Sequence, residues 1–328
     1  MRAVEIPATA DAPRLAGEVL VPHGKGPHPA VLFLSGAGRQ DRYGFSEPPP
    51  VDARTHVWTD ALARAGFAVL RFDDRGTGGS ADGRLDFRAE AEDARRALGT
   101  LLVQDDVDPR RVTVVGHGEG GWHALFLARS DPSIRAVVLV GTPGRRYDRI
   151  VRHQSEVALA GLPPEARAES LGELDAILAG LRRPRAETVG GKVAEEPEDT
   201  AYLRQILAVD PGRLFRGVCA KVLVVQGGAD FEVDPKADPA ALVAAARAAG
   251  VDVAQATYPH VDHHLVRIDG PGRPQRYLDR QRPVHMPAVD RMATFLAEAV
   301  AADDAPGTCP RGVRGDDTAV QSTSRPVR

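Results

Sequence analysis

The chain has 328 residues, 43% of them hydrophobic and 27% charged, with a formal net charge of −3. These values suit an ordinary globular protein built as one large domain with an insertion; charges of both signs are interspersed, so no basic footprint for nucleic acid arises. No apolar run of about 18 residues occurs and the opening residues lack an uninterrupted apolar segment, so neither a membrane span nor a secretory signal is expected.

The predicted elements alternate along the chain. Short β-rich runs come first, at Ala3–Ile6, Leu15–Val21 and Ala30–Leu34. A helix ends over Trp58–Ala65, a buried strand follows at Ala68–Phe72, and Phe87–Gln104 carries helical periodicity. Val112–Val115 reads as another buried strand, Glu119–Ala128 as a helix and Ala136–Val140 as a strand. Further on come a strand at Val222–Val225, a helix at Pro239–Ala249, a strand at Val253–Tyr258 and a helix at Val289–Ala302. Continuous Val/Leu runs alternating with amphipathic helices imply parallel strands covered on both faces. The expected fold class is therefore α/β, a mostly parallel doubly wound sheet.

Two segments interrupt this rhythm. Residues 145–215 separate two core strands and read as helices at Ile150–Ala160, Ala166–Leu181 and Thr200–Val209. A connection of about seventy residues is too long for an ordinary loop, so it is expected to form a helical cap over a core made of 1–144 and 216–302. Ile150, Val157, Leu203 and Ile206 are its candidate pocket-lining side chains, and its polar stretch Arg182–Glu198 is expected to move. The tail 303–328, rich in Gly, Pro, Ser, Thr and charge, is expected to be disordered. The two cysteines, Cys219 and Cys309, predict no disulfide framework, and Cys219 starts its strand at the wrong sheet edge for a nucleophile. The cytoplasm is the expected compartment.

The stretch "VVGHGEGGW", Val114–Trp122, carries the decisive motif. It has the outline of a nucleophile elbow, G-x-S-x-G, in which serine sits on a tight strand-to-helix turn, but the central position is Gly118. Other pieces fall at strand ends in the order this architecture needs. "SGAGRQDRYG" follows Ala30–Leu34 and offers backbone amides for an oxyanion hole; "QGGADFEVDP" places Asp230, and "PHVDHHLV" places His263. All lie at carboxyl ends of strands, where open α/β sheets bind ligands.

Together these residues resemble the α/β-hydrolase superfamily, in particular its bacterial esterase/peptidase-like branch. The likeness runs over roughly Gly24–Leu296 and also includes "LRFDDRGTGGS", "VDPRRVTVVGHGEGG" and "VLVVQGGADFEV". The resemblance implies an α/β-hydrolase fold with Asp230 as triad acid, His263 as triad base, and the amides of Ala37 and Glu119 as oxyanion donors. Gly118 occupies the nucleophile seat. It also implies bracing roles for Asp73, Asp74 and Arg75 and a packing role for His117, with catalysis by His117 as the alternative. Ser35 stands where such enzymes usually carry histidine and is the substitute nucleophile to consider. "VDHHL" around the base leaves His264 as a rival to His263.

Glycine takes the left-handed elbow conformation without steric cost, so Gly118 need not disturb the turn. What it removes is an acyl-enzyme at that position. A His–Asp dyad and oxyanion donors still suit cyclisation, isomerisation, elimination or direct attack by water on a small acyl or carbonyl compound, in the manner of specialised metabolism. The superfamily includes plant carboxylesterase-like proteins that act as cyclases. Two alternatives stand beside this reading: an ordinary serine esterase or peptidase inactivated at 118, and a pseudoenzyme that binds a small molecule under its cap. No cofactor or metal motif is found. A small-molecule substrate is expected, without nucleic-acid or membrane partners, and a homodimer is allowed.

Overall fold

The computed structural model describes residues 1–46, 50–183, 196–278 and 282–302. The N-terminal strands are β1 (Arg2–Ile6), β2 (Leu15–Leu20) and β3 (His28–Leu34), followed by a short hairpin of β4 (Phe45–Ser46) and β5 (Val51–Asp52). The chain continues through α1 (Thr55–Arg64), β6 (Ala68–Phe72), α2 (Phe87–Leu102), β7 (Val107–His117), α3 (Gly120–Ser130) and β8 (Ile134–Val140). Three helices then intervene, α4 (Tyr147–Ala158), α5 (Pro164–Arg182) and α6 (Glu198–Ala208), before β9 (Lys221–Gly227), α7 (Ala237–Ala248), β10 (Val253–Tyr258) and α8 (Met286–Ala301). The hairpin escapes the sequence pattern because each arm has only two residues, too few to show a period.

One eight-stranded sheet runs in the order β1-β2-β6-β3-β7-β8-β9-β10. β1–β2 and β2–β6 pair antiparallel, and every later pair is parallel. Side chains alternate between its faces, as the strand period demands. Along β8, Val137 and Leu139 join the cluster beneath α2, α3 and α7, while Ala136, Val138 and Val140 join Trp58, Leu62, Met292 and Leu296 beneath α1 and α8. Both faces are dry, which explains why the central strands read as continuous apolar runs.

The segment between β8 and β9 is held to this core by its last helix. Tyr202 and Ile206 of α6 are buried in the cluster that includes Trp122 and Leu214. Within the polar stretch Arg182–Glu198, residues 184–195 lie outside the described residues, as does the tail 303–328. Cys219 is disulfide-bonded, contrary to the sequence expectation, and the second cysteine, Cys309, falls in that undescribed tail. Among the described residues no helix is long and apolar enough to cross a membrane.

Candidate active site

The elbow forms where β7 hands over to α3. His117 ends the strand, Gly118 has φ +52°, and Glu119 turns the chain into the helix starting at Gly120. The surrounding glycines are there for contact. A Cβ at Gly116 would strike the Gly120 carbonyl, at Gly120 the Ser35 carbonyl, and at Gly121 the Thr142 hydroxyl. Gly118 is different: an added Cβ would lie 3.5 Å from His263 Nε2 and 3.6 Å from Gly36 Cα, ordinary van der Waals separations. The turn is tight at Gly116, Gly120 and Gly121 and open at Gly118.

The histidine and acid meet beside that seat. His263 Nδ1 is hydrogen-bonded to Asp230 Oδ2 at 2.8 Å, leaving Nε2 towards Gly118. Asp230 is held from all sides: Oδ2 also accepts from Gln226 Nε2 at 2.9 Å, and Oδ1 from the amides of Glu232 and Val233 at 2.8 and 3.0 Å. Glu232 Oε2 stands 3.9 Å from His263 Nε2, with its Oε1 accepting from the Tyr277 hydroxyl at 2.5 Å. Burial opposes the charged imidazole, but the charges of Asp230 and Glu232 and the Asp230 hydrogen bond prevail and push His263 up to about 10.

His264 takes a different position from its neighbour. Its backbone amide donates to Asp262 Oδ1, its ring lies 4.2 Å from that of Tyr277, and its Nδ1 is buried without a partner. Burial and the charges of His117 and His263 hold it well below the usual histidine range. Lacking a carboxylate, it is the weaker base candidate. His117 is also buried, with Nε2 3.2 Å from the His263 carbonyl oxygen and its ring edge-on to Trp58 at 5.2 Å. Burial and then the His263 charge depress it well below the ordinary value, so it is a neutral packing partner.

The dyad opens into a cavity of about 210 Å³ whose walls include Gly118, His263, His264 and Ile150. Ala37 and Glu119 line it too, and neither backbone amide has a hydrogen-bond acceptor among the described loops and turns. Both are thus available to a ligand. α4 contributes Tyr147, Ile150 and Gln154, on one helical face.

Two sets of residues predicted from the sequence need correction. Ser35 does not line this cavity; its hydroxyl donates to both Asp74 oxygens at 2.9 and 3.0 Å, which commits it to the turn rather than to His263. Of the four cap residues, only Ile150 reaches the pocket wall. Ile206 is fully buried in the core cluster, Leu203 packs against that cluster, and Val157 is absent from the wall. α6 therefore faces the sheet-side core where α4 faces the ligand space. The brace reading for Asp73, Asp74 and Arg75 has concrete partners: Asp73 takes the Arg42 amide and guanidinium, Asp74 takes Ser35 and the Gln40 amide, and Arg75 pairs with Asp93.

Several residues of the site carry no sequence signal. Glu232 sits two places past Asp230 on a loop, with no motif to mark it. Tyr277 arrives from a short 3₁₀ helix, Pro274–Leu278, after β10. Tyr202 donates its hydroxyl to Glu119 Oε1 at 2.6 Å, tying α6 to the elbow. Burial and the Glu90 charge push the Glu119 carboxyl up to about 7.

A family profile described as the alpha/beta hydrolase family matches residues 31–280. The chain belongs to the alpha/beta hydrolase family. It is 25% identical over 292 residues to Esterase EstD of Thermotoga maritima, covering 87% of this chain and 66% of that protein. The chain thus spans just under two thirds of that relative's length. Among solved structures, the DcsB complex with its substrate analogue superposes with a TM-score of 0.56 at 18% identity, covering 92% of this chain and 99% of the other. Est1E from Butyrivibrio proteoclasticus with bound ferulic acid gives a TM-score of 0.56 at 16% identity, with 91% and 100% covered. Those two likenesses concern the fold.

Proposed function

We propose that this alpha/beta hydrolase-family chain is an enzyme that carries out acid/base chemistry on a small acyl or carbonyl compound without forming an acyl-enzyme. The observation that carries this reading is the open seat at Gly118, flanked by a hydrogen-bonded His263–Asp230 pair on one side and Gly36 on the other. Every part of a hydrolase site is represented except the side chain that would become acylated.

In this reading the reacting group of the substrate, or a water, occupies the space over Gly118. Nε2 of neutral His263 takes its proton, and Asp230 at Nδ1 stabilises the imidazolium that forms. Negative charge developing on the substrate oxygen faces the amides of Ala37 and Glu119, which need no reorganisation to receive it. His263 then returns the proton to the leaving oxygen or to carbon. Direct water attack, cyclisation, isomerisation and elimination all share this proton cycle. The name of the relative Esterase EstD supports an acyl compound as the substrate class.

A second reading, a serine hydrolase whose nucleophile was replaced, is favoured by the room for a Cβ at 118. One experiment divides the two. Purified wild type, His263→Ala and Gly118→Ser are assayed against small esters and lactones, and by deuterium exchange from solvent into the α-position of small carbonyl compounds. Wild-type activity should fall by about 10²–10⁴-fold in His263→Ala and less steeply in Gly118→Ser. Inert wild type with ester hydrolysis gained in Gly118→Ser would establish the second reading instead.

A further inference from the structure

Behind the elbow lies a second, smaller cavity of about 30 Å³, room for one or two water-sized particles. Its walls include Asp74, Arg75, Glu90, Asp93, Glu119 and His123. Two of the four carboxyls are fully engaged: Asp74 by Ser35 and the Gln40 amide, Asp93 by Arg75 and Arg96. The other two are not. The Glu90 carboxylate accepts no hydrogen bond among the described residues, and Glu119, only 4% exposed, has Oε2 buried without a partner while Oε1 takes the Tyr202 hydroxyl.

We infer that Glu90, Glu119 and His123 form a binding site for one divalent first-row metal ion of the zinc or manganese type. The three side chains offer one ligand atom each, all within 4.8 Å of one another. His123 Nε2 lies 3.7 Å from Glu90 Oε2 and 3.8 Å from Glu119 Oε1. Two atoms bound to one ion at about 2.1 Å cannot be more than about 4.2 Å apart, so the two imidazole–carboxylate separations fit a shared ion, and the Glu90–Glu119 pair, within 4.8 Å, has to lie or close within the same limit. The helices explain the convergence. Glu119 and His123 are four residues apart where α3 begins, hence on one face. Glu90 comes from the first turn of α2, whose Phe87 ring packs 6.1 Å from Trp122 of α3.

The donor set selects the ion. One imidazole and two carboxylates suit zinc or manganese, whereas calcium takes six to eight oxygens and magnesium keeps most of its water. A cation would also offset the cost of burying these two carboxyls beside each other. The orphaned Glu119 Oε2 is a buried acceptor with no protein donor, as a carboxylate awaiting a cation would be. Bound there, the ion would join α2 to α3 through Glu119, a residue that lines both cavities. The site is independent of the reaction assigned to that pocket.

The test uses the full chain, stripped with chelator and dialysed at pH 8. Zn²⁺ and Mn²⁺ are titrated by calorimetry and followed by thermal melting, with Mg²⁺ and Ca²⁺ for comparison. One equivalent of Zn²⁺ or Mn²⁺ should bind and raise Tm, and affinity should fall about a hundredfold in Glu90→Gln and in His123→Ala. Glu90→Gln, at a side chain 22% exposed, keeps the shape of the site and should melt as the stripped wild type does. The inference is overturned if no stoichiometric ion binds, or if both variants bind as tightly as wild type.

Discussion

Two cavities meet at Glu119, built from the same residue types, and they differ in how their charges are matched. In the front pocket His263 has Asp230, and Asp230 in turn has the Gln226 amide and two backbone N–H groups. In the rear chamber Glu90, Glu119 and His123 face one another across 3.7 and 3.8 Å with acceptor atoms left over. In the proposed function the matched set is the one that moves a proton. The unmatched set is the one to which we assign a cation.

The largest effect should come from breaking the matched set. His263→Ala should cut turnover by about 10²–10⁴-fold while ligand affinity changes little, because the pocket walls stay in place. Steady-state kinetics alongside calorimetric ligand binding checks this; equal losses in both would mean that His263 holds the ligand rather than its proton.

Gly118→Ser sharpens the comparison at the seat itself. Serine at φ +52° costs roughly 1 kcal/mol of backbone strain, to be read as a modest fall in denaturation midpoint. Its hydroxyl enters the space reserved for the reacting group, so the native reaction should slow by about tenfold or more. Unchanged native turnover would place the substrate elsewhere.

The front pocket also has a pH signature with opposite effects on activity and stability. His263 is faced by Asp230, Glu232 and Asp262 and by the imidazoles of His117 and His264, and the acids raise it from the ordinary 6.5 to about 10. Its base form therefore accumulates only as pH climbs towards that value, and turnover should rise across the interval. Stability runs the other way: a raised folded value means that the contribution is fully present below 6.5 and is lost as pH passes through about 10. Matched pH series of kcat/KM and Tm, with His263→Gln as reference, should show the two trends cross. A turnover plateau already reached near neutrality would contradict this picture.

The same contrast explains what is legible in the chain. The front pocket is read from strand ends: a strand announces itself by Val/Leu runs, and the residues just past it, Asp230 and His263, inherit a place at the sheet's carboxyl edge. Gly118 is marked by its glycine-rich frame. The rear chamber has no such marker, because Glu90 joins Glu119 and His123 only through the packing of two helices. The cap residues are hard to place for a related reason. Periodicity shows that α6 has an apolar face but cannot tell whether Ile206 meets ligand or core, and it meets core. Ser35 misleads because its partner Asp74 lies on another strand's end, so the hydrogen bond that occupies its hydroxyl is not local.

Ser35→Ala should have the smallest effect. Losing the hydrogen bonds to Asp74 should lower stability by about 0.5–1.5 kcal/mol, with turnover within about twofold of wild type. Turnover abolished with the fold intact would make Ser35 the nucleophile and return its cavity to the reaction.

The central claim, chemistry without an acyl-enzyme, is tested most directly by intact-mass spectrometry. Wild type and Gly118→Ser are each mixed with a serine-reactive fluorophosphonate and, separately, with an activated ester, then quenched and weighed. No stoichiometric adduct should form on wild type under conditions where it turns over substrate, and one adduct should form on Gly118→Ser, mapped by peptide analysis to position 118. A covalent adduct on wild type that forms and decays at the rate of turnover would contradict the claim.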